Sequence, residues 1–212
     1  MKRPFALLLL LFFSLSAGVA CAETRYEEGK DYHRIMPPLP AGGEGKVEVV
    51  AMFWYGCPHC FRFDPDVKTW LGKVPDYVDF KQMPAIFNNP DWHLHATAFY
   101  TIDALGMMDT IHQPLFDAMH VQRKQFKTRE SLQTFFEGFG VSAADFDKAF
   151  NSFAVKTRVN RAADISAKSG ITGVPVMLVN GKYRIDGPTA GSYERLLQIV
   201  SYLVEQEHQN QP

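Results

Sequence analysis

Residues 47–60 read Val-Glu-Val-Val-Ala-Met-Phe-Trp-Tyr-Gly-Cys-Pro-His-Cys, an apolar run that ends in a Cys-x-x-Cys motif. The nearly continuous apolar character of Val47–Phe53 predicts a central strand that is covered on both faces. After Cys60, apolar residues recur at helical spacing as far as Gly72, so a helix is predicted to begin at the motif. A helix N-terminus offers unpaired N–H groups and a positive dipole end, which stabilise a thiolate. The stretch therefore predicts dithiol chemistry at the end of a buried strand.

The remainder of the chain predicts further strands and a closing helix. Apolar and polar residues alternate over 77–83, which predicts a second strand. Strand character returns at 174–179, and Asn180-Gly181 is a strong hairpin turn signal. The apolar periodicity of 192–207 predicts an amphipathic helix that packs on the sheet.

Residues 88–151 differ from both flanks, because strand signals vanish and four apolar patterns recur at helical spacing. We therefore predict an α/β fold, in which a mixed sheet with flanking helices is interrupted by an inserted all-helical domain. The predicted sheet domain comprises 23–87 and 152–212, and the predicted insertion comprises 88–151.

The N-terminus predicts a secretory signal peptide over residues 1–22. A basic start precedes an apolar segment, residues 5–15, that is shorter than the roughly 20 residues needed to span a bilayer. Small residues then favour cleavage after Ala22, which predicts an exported mature chain in a compartment where disulfides persist. Lipidation of Cys21 is the alternative, and only a weak lipobox precedes it.

Composition bounds the class of protein. The 212 residues carry three cysteines and a formal net charge of −1, with no basic stripe. We therefore predict no nucleic-acid partner. Once the signal peptide is removed, Cys57 and Cys60 are the remaining cysteines. They are too few and too close together to cross-link the fold of a secreted protein. The pair therefore indicates redox chemistry rather than a framework of structural disulfides.

The members of the motif are predicted to have different roles. Cys57 lies at the predicted helix start and is the candidate nucleophile, because its thiolate is favoured there. Cys60, one turn deeper, is the candidate resolving thiol. Pro58 suits the first helical turn, where its missing N–H would go unused. His59 can add positive charge or a hydrogen-bond donor beside the thiolate.

A metal site is the alternative interpretation of the cysteine pair. A structural zinc ion is bound by about four ligands, and the chain has no second Cys-x-x-Cys motif that could complete the set. His93 and His95 could complete a site, but they fall in the predicted insertion. A c-type haem is excluded because Phe61, not histidine, follows Cys60. We therefore predict neither a metal nor a cofactor.

A second motif, Gly173-Val174-Pro175-Val176, is predicted to begin a strand. Proline is tolerated at the start of a strand only where no neighbouring strand needs a hydrogen bond from its N–H. A cis Val174–Pro175 bond would carry this loop past Cys57 and leave the Val174 backbone free to pair with a substrate peptide. Sequence alone favours the trans form, because only about 5–6% of X–Pro bonds in folded proteins are cis.

The segment from Trp54 to Cys60 resembles the active-site segment of the DsbA family, periplasmic thiol:disulfide oxidases of thioredoxin fold. The resemblance continues at 151–156, 172–175 and 179–183, so it spans the mature chain. It implies a thioredoxin-like fold that contains an inserted helical domain, in agreement with the pattern of predicted elements.

The resemblance also implies a role for individual residues. Cys57 corresponds to the family's nucleophile, Cys60 to its resolving cysteine and His59 to the histidine between them. Val174 and Pro175 correspond to its cis-proline loop.

One position departs from the family. Many members carry a buried glutamate six residues before the first active-site cysteine, where this chain has Ala51. That acid can act as a proton relay for the second cysteine. Asp64 and Glu48 are the acids that remain nearby, and the sequence leaves open whether Asp64 is a relay or a helix-surface carboxylate.

These observations predict a monomeric periplasmic oxidase that donates its Cys57–Cys60 disulfide to unfolded exported proteins through a mixed disulfide at Cys57. The resemblance implies reoxidation by a membrane quinone-coupled partner of the DsbB type. Three alternatives stay open: a reductase or isomerase of the same fold, a metal-binding protein that uses the cysteines and a histidine, and a non-catalytic peptide-binding chaperone.

Overall fold

The computed structural model describes residues 26–43 and 45–210. Its sheet has five strands, which are β1 (His33–Arg34), β2 (Val47–Phe53), β3 (Val78–Pro84), β4 (Val176–Val179) and β5 (Tyr183–Asp186). Their order in the sheet is β1-β5-β4-β2-β3. β2 and β3 are parallel, and the other neighbouring pairs are antiparallel. The predicted mixed sheet is confirmed.

The described part of the chain has eight α-helices. They are α1 (Pro58–Leu71), α2 (Pro90–Ala104), α3 (Gln113–His120), α4 (Arg129–Glu137), α5 (Ala143–Phe150), α6 (Phe153–Lys168), α7 (Gly187–Ala190) and α8 (Tyr193–Gln209). Among the described residues, no helix is both long enough and apolar enough to cross a membrane. The predicted signal peptide, its cleavage after Ala22 and the alternative lipidation of Cys21 lie outside the described residues.

β2 is the strand that the sequence predicted, with the same bounds and all seven residues buried. It pairs with β3 on one side and with β4 on the other, so both of its edges are hydrogen-bonded. Central position and cover on both faces explain why its sequence is apolar without alternation.

The hairpin between β4 and β5 turns at Asn180-Gly181, as predicted. Asn180 has φ of 50° and Gly181 has φ of 64°, the left-handed conformations that a two-residue hairpin turn requires. Any side chain at Gly181 would also meet the Leu39 carbonyl oxygen, which lies 2.3 Å from the position of a Cβ. The turn therefore needs glycine for both reasons.

Two expectations about the segment before β4 were wrong. The strand begins at Val176 rather than at 174, so Val174 and Pro175 form a loop that leads into it. The Val174–Pro175 peptide bond is cis rather than trans. The physical reason for the late start is that proline has no N–H to donate to a neighbouring strand.

Helices α2 to α5 follow one another between β3 and α6, in the region predicted to be an insertion. The sequence did not anticipate the π-helical turn at Met108–His112, which leads directly into α3. Residues of these helices form one core together with α6 and the end of β2. The thioredoxin-like fold with inserted helices is confirmed, and the boundary at 88–151 stays a prediction.

Two further cores cover the faces of the sheet. One lies between the sheet, α1 and α8 and contains Val49, Phe63 and Leu196. The other lies on the opposite face and contains Val50 and Met52. Successive residues of β2 therefore point into different cores, as the two-residue repeat of a strand requires. The loop after β2 lies where the helical core meets the sheet.

Candidate active site

Cys57 is the N-cap of α1. Its backbone is extended, with φ of −91° and ψ of 114°, and its Sγ accepts a hydrogen bond from the Cys60 backbone N–H at 3.3 Å. Pro58 occupies the first helical turn, where no intrahelical acceptor exists for an N–H. The helix start that the sequence predicted at the motif is confirmed, and both cysteines are free thiols in this structure.

The two thiols have opposite electrostatic environments. A hydrogen bond from the Cys60 thiol lowers the pKa of Cys57 to about 6, with help from the backbone N–H groups of Cys60 and His59 and from the charge of Arg62, although burial opposes the shift. Burial raises the pKa of Cys60, and the adjacent Cys57 sulfur raises it further. Cys57 is therefore the favoured thiolate and Cys60 stays protonated.

Arg62 lowers the pKa of Cys57 through its positive charge, a role that the sequence analysis assigned to no arginine. The His59 side chain is exposed, and its Nδ1 accepts a hydrogen bond from the Arg62 guanidinium at 2.9 Å. His59 acts on the thiolate through its backbone N–H. Sequence reasoning missed Arg62, although an arginine within two helical turns of the motif was a readable signal.

Tyr193, the first residue of α8, holds the other side of the motif. Its hydroxyl donates to the carbonyl oxygen of His59 at 3.0 Å, and its ring packs on Phe63 with centroids 4.9 Å apart. The sequence predicted the closing helix that carries Tyr193 but assigned this residue no role at the site. The contact ties the first turn of α1 to the last helix of the chain.

The cis-proline loop lies against the motif, as the resemblance implied. Cys57 Sγ lies 3.5 Å from the carbonyl oxygen of Val174. Beside them runs a groove of about 780 Å³, bordered by His59, the loop at 171–176 and residues of 184–193. Its lining is mainly apolar, and the groove is partly open to solvent. An extended peptide can therefore lie beside the reactive sulfur.

The helical region holds the loop between β2 and α1. The Tyr55 hydroxyl shares a buried hydrogen bond with His112 Nδ1 at 2.7 Å, and His120 Nε2 donates to the Tyr55 carbonyl oxygen at the same distance. The ring of Trp54 stacks on Trp92 with centroids 4.4 Å apart. Sequence reasoning missed these partners because they lie more than 30 residues from the motif.

The fold does not bring the candidate metal ligands together in one cluster. His95 is buried and its Nε2 donates to the carbonyl oxygen of Phe126 at 2.8 Å, while His93 is exposed on the same helix. Across residues 26–43 and 45–210, no group of three or more histidine, cysteine, aspartate or glutamate side chains could hold a metal ion.

The sequence of the chain matches known proteins over most of its length. The model of the DSBA-like thioredoxin domain matches residues 48–200. The thiol:disulfide interchange protein DsbA of Azotobacter vinelandii is 42% identical over 183 residues, which cover 86% of this chain and 85% of that protein. The chain belongs to the DsbA family. The DsbA of Pseudomonas aeruginosa is 38% identical over 205 residues, which cover 97% of each protein.

Solved structures of the DsbA family agree with this assignment. The crystal structure of Pseudomonas aeruginosa DsbA superposes with a TM-score of 0.81 at 39% identity and covers 87% of this chain and 95% of that one. The DsbA of Xylella fastidiosa superposes with a TM-score of 0.77 at 32% identity, and the match covers 84% of this chain and 96% of that one. The chain is thus an oxidoreductase of the thiol:disulfide interchange class.

Proposed function

We propose that this protein is a periplasmic dithiol oxidase that transfers its Cys57–Cys60 disulfide to unfolded exported proteins. The lowered pKa of Cys57, about 6, is the observation that carries the proposal. Accepting electrons turns the disulfide into a dithiol whose thiolate is already stabilised at neutral pH. Because the reduced form is the stabilised one, the disulfide is a strong oxidant.

The reaction proceeds in two exchange steps. A substrate thiolate attacks Cys57 Sγ, the Cys57–Cys60 bond breaks, and Cys60 leaves as a thiolate that takes up a proton. A second substrate thiolate then attacks the substrate sulfur of the mixed disulfide and releases Cys57 as its stabilised thiolate. The substrate loses two electrons and two thiol protons, and the cysteine pair gains the two electrons.

Cys57 is the proposed point of attack because its Sγ lies 3.5 Å from the carbonyl oxygen of Val174, a residue that lines the groove, whereas Cys60 lies one turn further along α1. The groove of about 780 Å³ can receive an extended chain beside the sulfur. Val174 and Pro175 form its wall next to Cys57, so the backbone of Val174 is the proposed partner for the substrate peptide. A mainly apolar lining suits unfolded chains of varied sequence.

The proposal includes the organisation and partners that the sequence predicted. The thioredoxin-like domain comprises 23–87 and 152–212, and the helical domain at 88–151 supports the motif through Tyr55 and Trp54. A membrane quinone-coupled protein of the DsbB type reoxidises the cysteine pair, and the enzyme acts as a monomer. Export with cleavage after Ala22 delivers it to the periplasm.

Oxidation of a reduced two-cysteine model peptide tests the nucleophile assignment. Cys57→Ser is expected to abolish oxidation, because no disulfide and no mixed disulfide at Cys57 can form. Cys60→Ser that carries glutathione as a mixed disulfide at Cys57 is expected to exchange glutathione for a peptide with a single cysteine and to hold that peptide as a stable mixed disulfide, visible by mass spectrometry, because no resolving thiol remains. Full activity in Cys57→Ser would refute the assignment. Retention of the protein's function in a Cys57→Ser, Cys60→Ser double variant would favour the chaperone alternative.

The direction of exchange needs a separate measurement. The redox equilibrium of the wild-type protein against glutathione is expected to lie near the oxidising end of the thioredoxin-fold range, towards about −120 mV. That potential is typical of the DsbA couple, whose reduced form is stabilised. A potential near that of thioredoxin, about −270 mV, would identify a reductase instead.

A further inference from the structure

One peptide group in the first turn of α1 is hydrogen-bonded at both of its ends. This group joins His59 to Cys60. Its carbonyl oxygen accepts a hydrogen bond from the Tyr193 hydroxyl at 3.0 Å, and its N–H donates to Cys57 Sγ at 3.3 Å. A chain of hydrogen bonds therefore runs from the phenol of Tyr193, through one amide, to the reactive sulfur.

An amide transmits polarisation between its carbonyl oxygen and its N–H. A donor at the oxygen draws electron density towards it and leaves the N–H more positive, so that hydrogen bonds in a chain strengthen one another by about 10–30% per bond. Hydrogen bonds to an ionised acceptor are about twice as strong as those to a neutral one. The gain is therefore larger when Cys57 is a thiolate than when it is a thiol.

The fold holds the Tyr193 hydroxyl at this carbonyl from two sides. Tyr193 is the first residue of α8 and follows the Ser192 cap, whose side chain accepts a hydrogen bond from the Arg195 N–H. Its ring packs on Phe63 with centroids 4.9 Å apart, and Phe63 is buried in the core between the sheet, α1 and α8. Because backbone and ring are both held, the hydroxyl loses little further conformational entropy when it donates.

Tyr193 keeps its proton over the range in which Cys57 titrates. Burial raises the pKa of Tyr193, Arg62 lowers it, and the charges of Cys57 and Cys60 raise it, so that it lies above the ordinary value of 10.0. The phenol is thus a hydrogen-bond donor throughout this range, and the charge on the sulfur acts on it in return.

Two other groups could connect Tyr193 to the sulfur. The Tyr193 hydroxyl lies 3.4 Å from His59 Nδ1, which also accepts a hydrogen bond from Arg62 at 2.9 Å. Arg62 in turn lowers the pKa of Cys57 through its charge. A path through the imidazole and the guanidinium is therefore the alternative to the path through the amide, and the experiments below separate the two.

The remaining charged groups around the motif leave the amide as the direct path. Asp64 is buried rather than on the helix surface, and the ammonium of Lys68 lies 2.7 Å from its carboxylate. The loop at 171–176 carries no titratable side chain. Arg184 and Asp186 border the groove from β5 and have opposite charges.

We propose that Tyr193 is a positioning residue of the exchange reaction, which stabilises the Cys57 thiolate through the peptide group between His59 and Cys60. The proposal rests on the dithiol exchange proposed above. The hydroxyl bonds to the backbone and acts on the sulfur through the amide. A more stable thiolate makes Cys57 a better leaving group when substrate is released, and it makes the disulfide a stronger oxidant.

Ultraviolet thiolate absorbance of reduced Tyr193→Phe tests the proposal, because this variant loses the hydroxyl and keeps the ring on Phe63. The pKa of Cys57 is expected to rise by about 0.2–0.6 unit, the share of one hydrogen bond in a polarised chain. At pH 7 the equilibrium with glutathione should then shift about 1.5- to 3-fold towards the disulfide. Tyr202→Phe is the matched control on the same helix, where the ring packs on Tyr26, and it should change neither quantity.

Urea unfolding separates this role from a merely structural one. A structural contact, once lost, lowers the free energy of unfolding of the oxidised and reduced proteins alike at every pH. The proposed role predicts an additional loss in reduced Tyr193→Phe at pH 8, and none at pH 5, because thiolate stabilisation disappears as the pH falls through about 6. Equal losses in both redox forms at both pH values would overturn the proposal.

The path of the effect is tested in two variant backgrounds. His59→Ala removes the imidazole and keeps the backbone carbonyl, and Arg62→Gln removes the positive charge. In each background Tyr193→Phe is expected to raise the pKa of Cys57 by as much as it does in the wild type. Loss of the effect in either background would show that the side chains carry the coupling, which would overturn the path through the amide.

A stronger donor should have the opposite effect. 3-Fluorotyrosine in place of Tyr193 has a more acidic hydroxyl on a ring of nearly the same size, so the pKa of Cys57 is expected to fall. This measurement decides the matter if Tyr193→Phe does not fold, and a pKa that does not fall would then count against the proposal.

The amide proton of Cys60 reports the hydrogen bond to Cys57 Sγ directly. In the reduced protein at pH 8 its NMR resonance is expected to move upfield in Tyr193→Phe, because the bond is weaker. An unchanged pKa of Cys57 in that variant, as when water takes the place of the hydroxyl, would overturn this proposal alone. A pKa near 8.5 in the wild-type protein would instead overturn the proposed oxidase function.

Discussion

Cys57 Sγ lies 3.5 Å from the carbonyl oxygen of Val174, although 117 positions separate the two residues in the chain. The contact joins the end of β2, which precedes the helical region in the chain, to the loop before β4, which follows it. These two strands are neighbours in the sheet, so their ends meet at one edge. The reactive sulfur and the peptide backbone proposed to receive substrate are therefore positioned by the same pair of strands.

The thiolate of Cys57 should form at unusually low pH. Ultraviolet thiolate absorbance of the reduced protein is expected to titrate with a midpoint near pH 6, because hydrogen bonds from Cys60 and His59 and the charge of Arg62 favour the anion. Cys60→Ser is expected to shift the midpoint, and Cys57→Ser to remove the transition. A midpoint near 8.5, the value of an ordinary cysteine, would contradict the proposed function.

The stability of the reduced protein should depend on pH in a defined window. The pKa of Cys57 is about 6 when folded and about 8.5 when unfolded, so the unfolded state binds more protons between these values. The resulting stabilisation is fully present above about pH 8.5 and is lost as the pH falls through about 6. Urea unfolding of the reduced and oxidised proteins, compared between pH 5 and pH 8, measures it.

In that comparison the oxidised protein is the control, because it has no Cys57 thiol to titrate. The difference in free energy of unfolding, reduced minus oxidised, is expected to grow from pH 5 to pH 8. A difference that stays constant over this range would show that the thiolate is not stabilised by folding.

Arg62 should contribute charge to the thiolate. Arg62→Gln is expected to raise the pKa of Cys57 by about one unit or less, because the guanidinium is exposed and screened by solvent. Lys73→Gln removes the same charge just beyond the far end of α1 and should leave the pKa unchanged. Added salt should reduce the difference in the pKa of Cys57 between wild type and Arg62→Gln. Equal shifts of this pKa in Arg62→Gln and Lys73→Gln would instead indicate a long-range effect of net charge.

The buried pair of Tyr55 and His112 should stabilise the fold. Tyr55→Phe leaves His112 Nδ1 without its partner in a buried site, which is expected to lower the free energy of unfolding by about 1–3 kcal/mol. Tyr77→Phe is the matched control, because the Tyr77 hydroxyl bonds to Glu205 at the exposed surface. The control is expected to change stability by no more than about 0.5 kcal/mol. Equal losses in urea unfolding would contradict a special role for the buried pair.

Much of the local structure could be read from the sequence. The bounds of β2, the helix start at Cys57 and the turn at Asn180-Gly181 followed from apolar runs, capping and turn chemistry. These features depend on neighbours within a few residues, so local sequence is sufficient to predict them. The π-helical turn at Met108–His112 has no such signature and was missed.

The pairing of distant residues was decided by the tertiary structure. The amino-acid sequence alone determined that a Cys-x-x-Cys pair caps a helix after a buried strand, because propensity and periodicity act over short distances along the chain. It did not determine that Arg62 contributes charge to the thiolate, that the Val174 carbonyl faces Cys57, or that Asp64 shares a cavity with Cys60. Those relationships depend on how the strands and helices pack, and packing is settled by all the contacts of the fold at once.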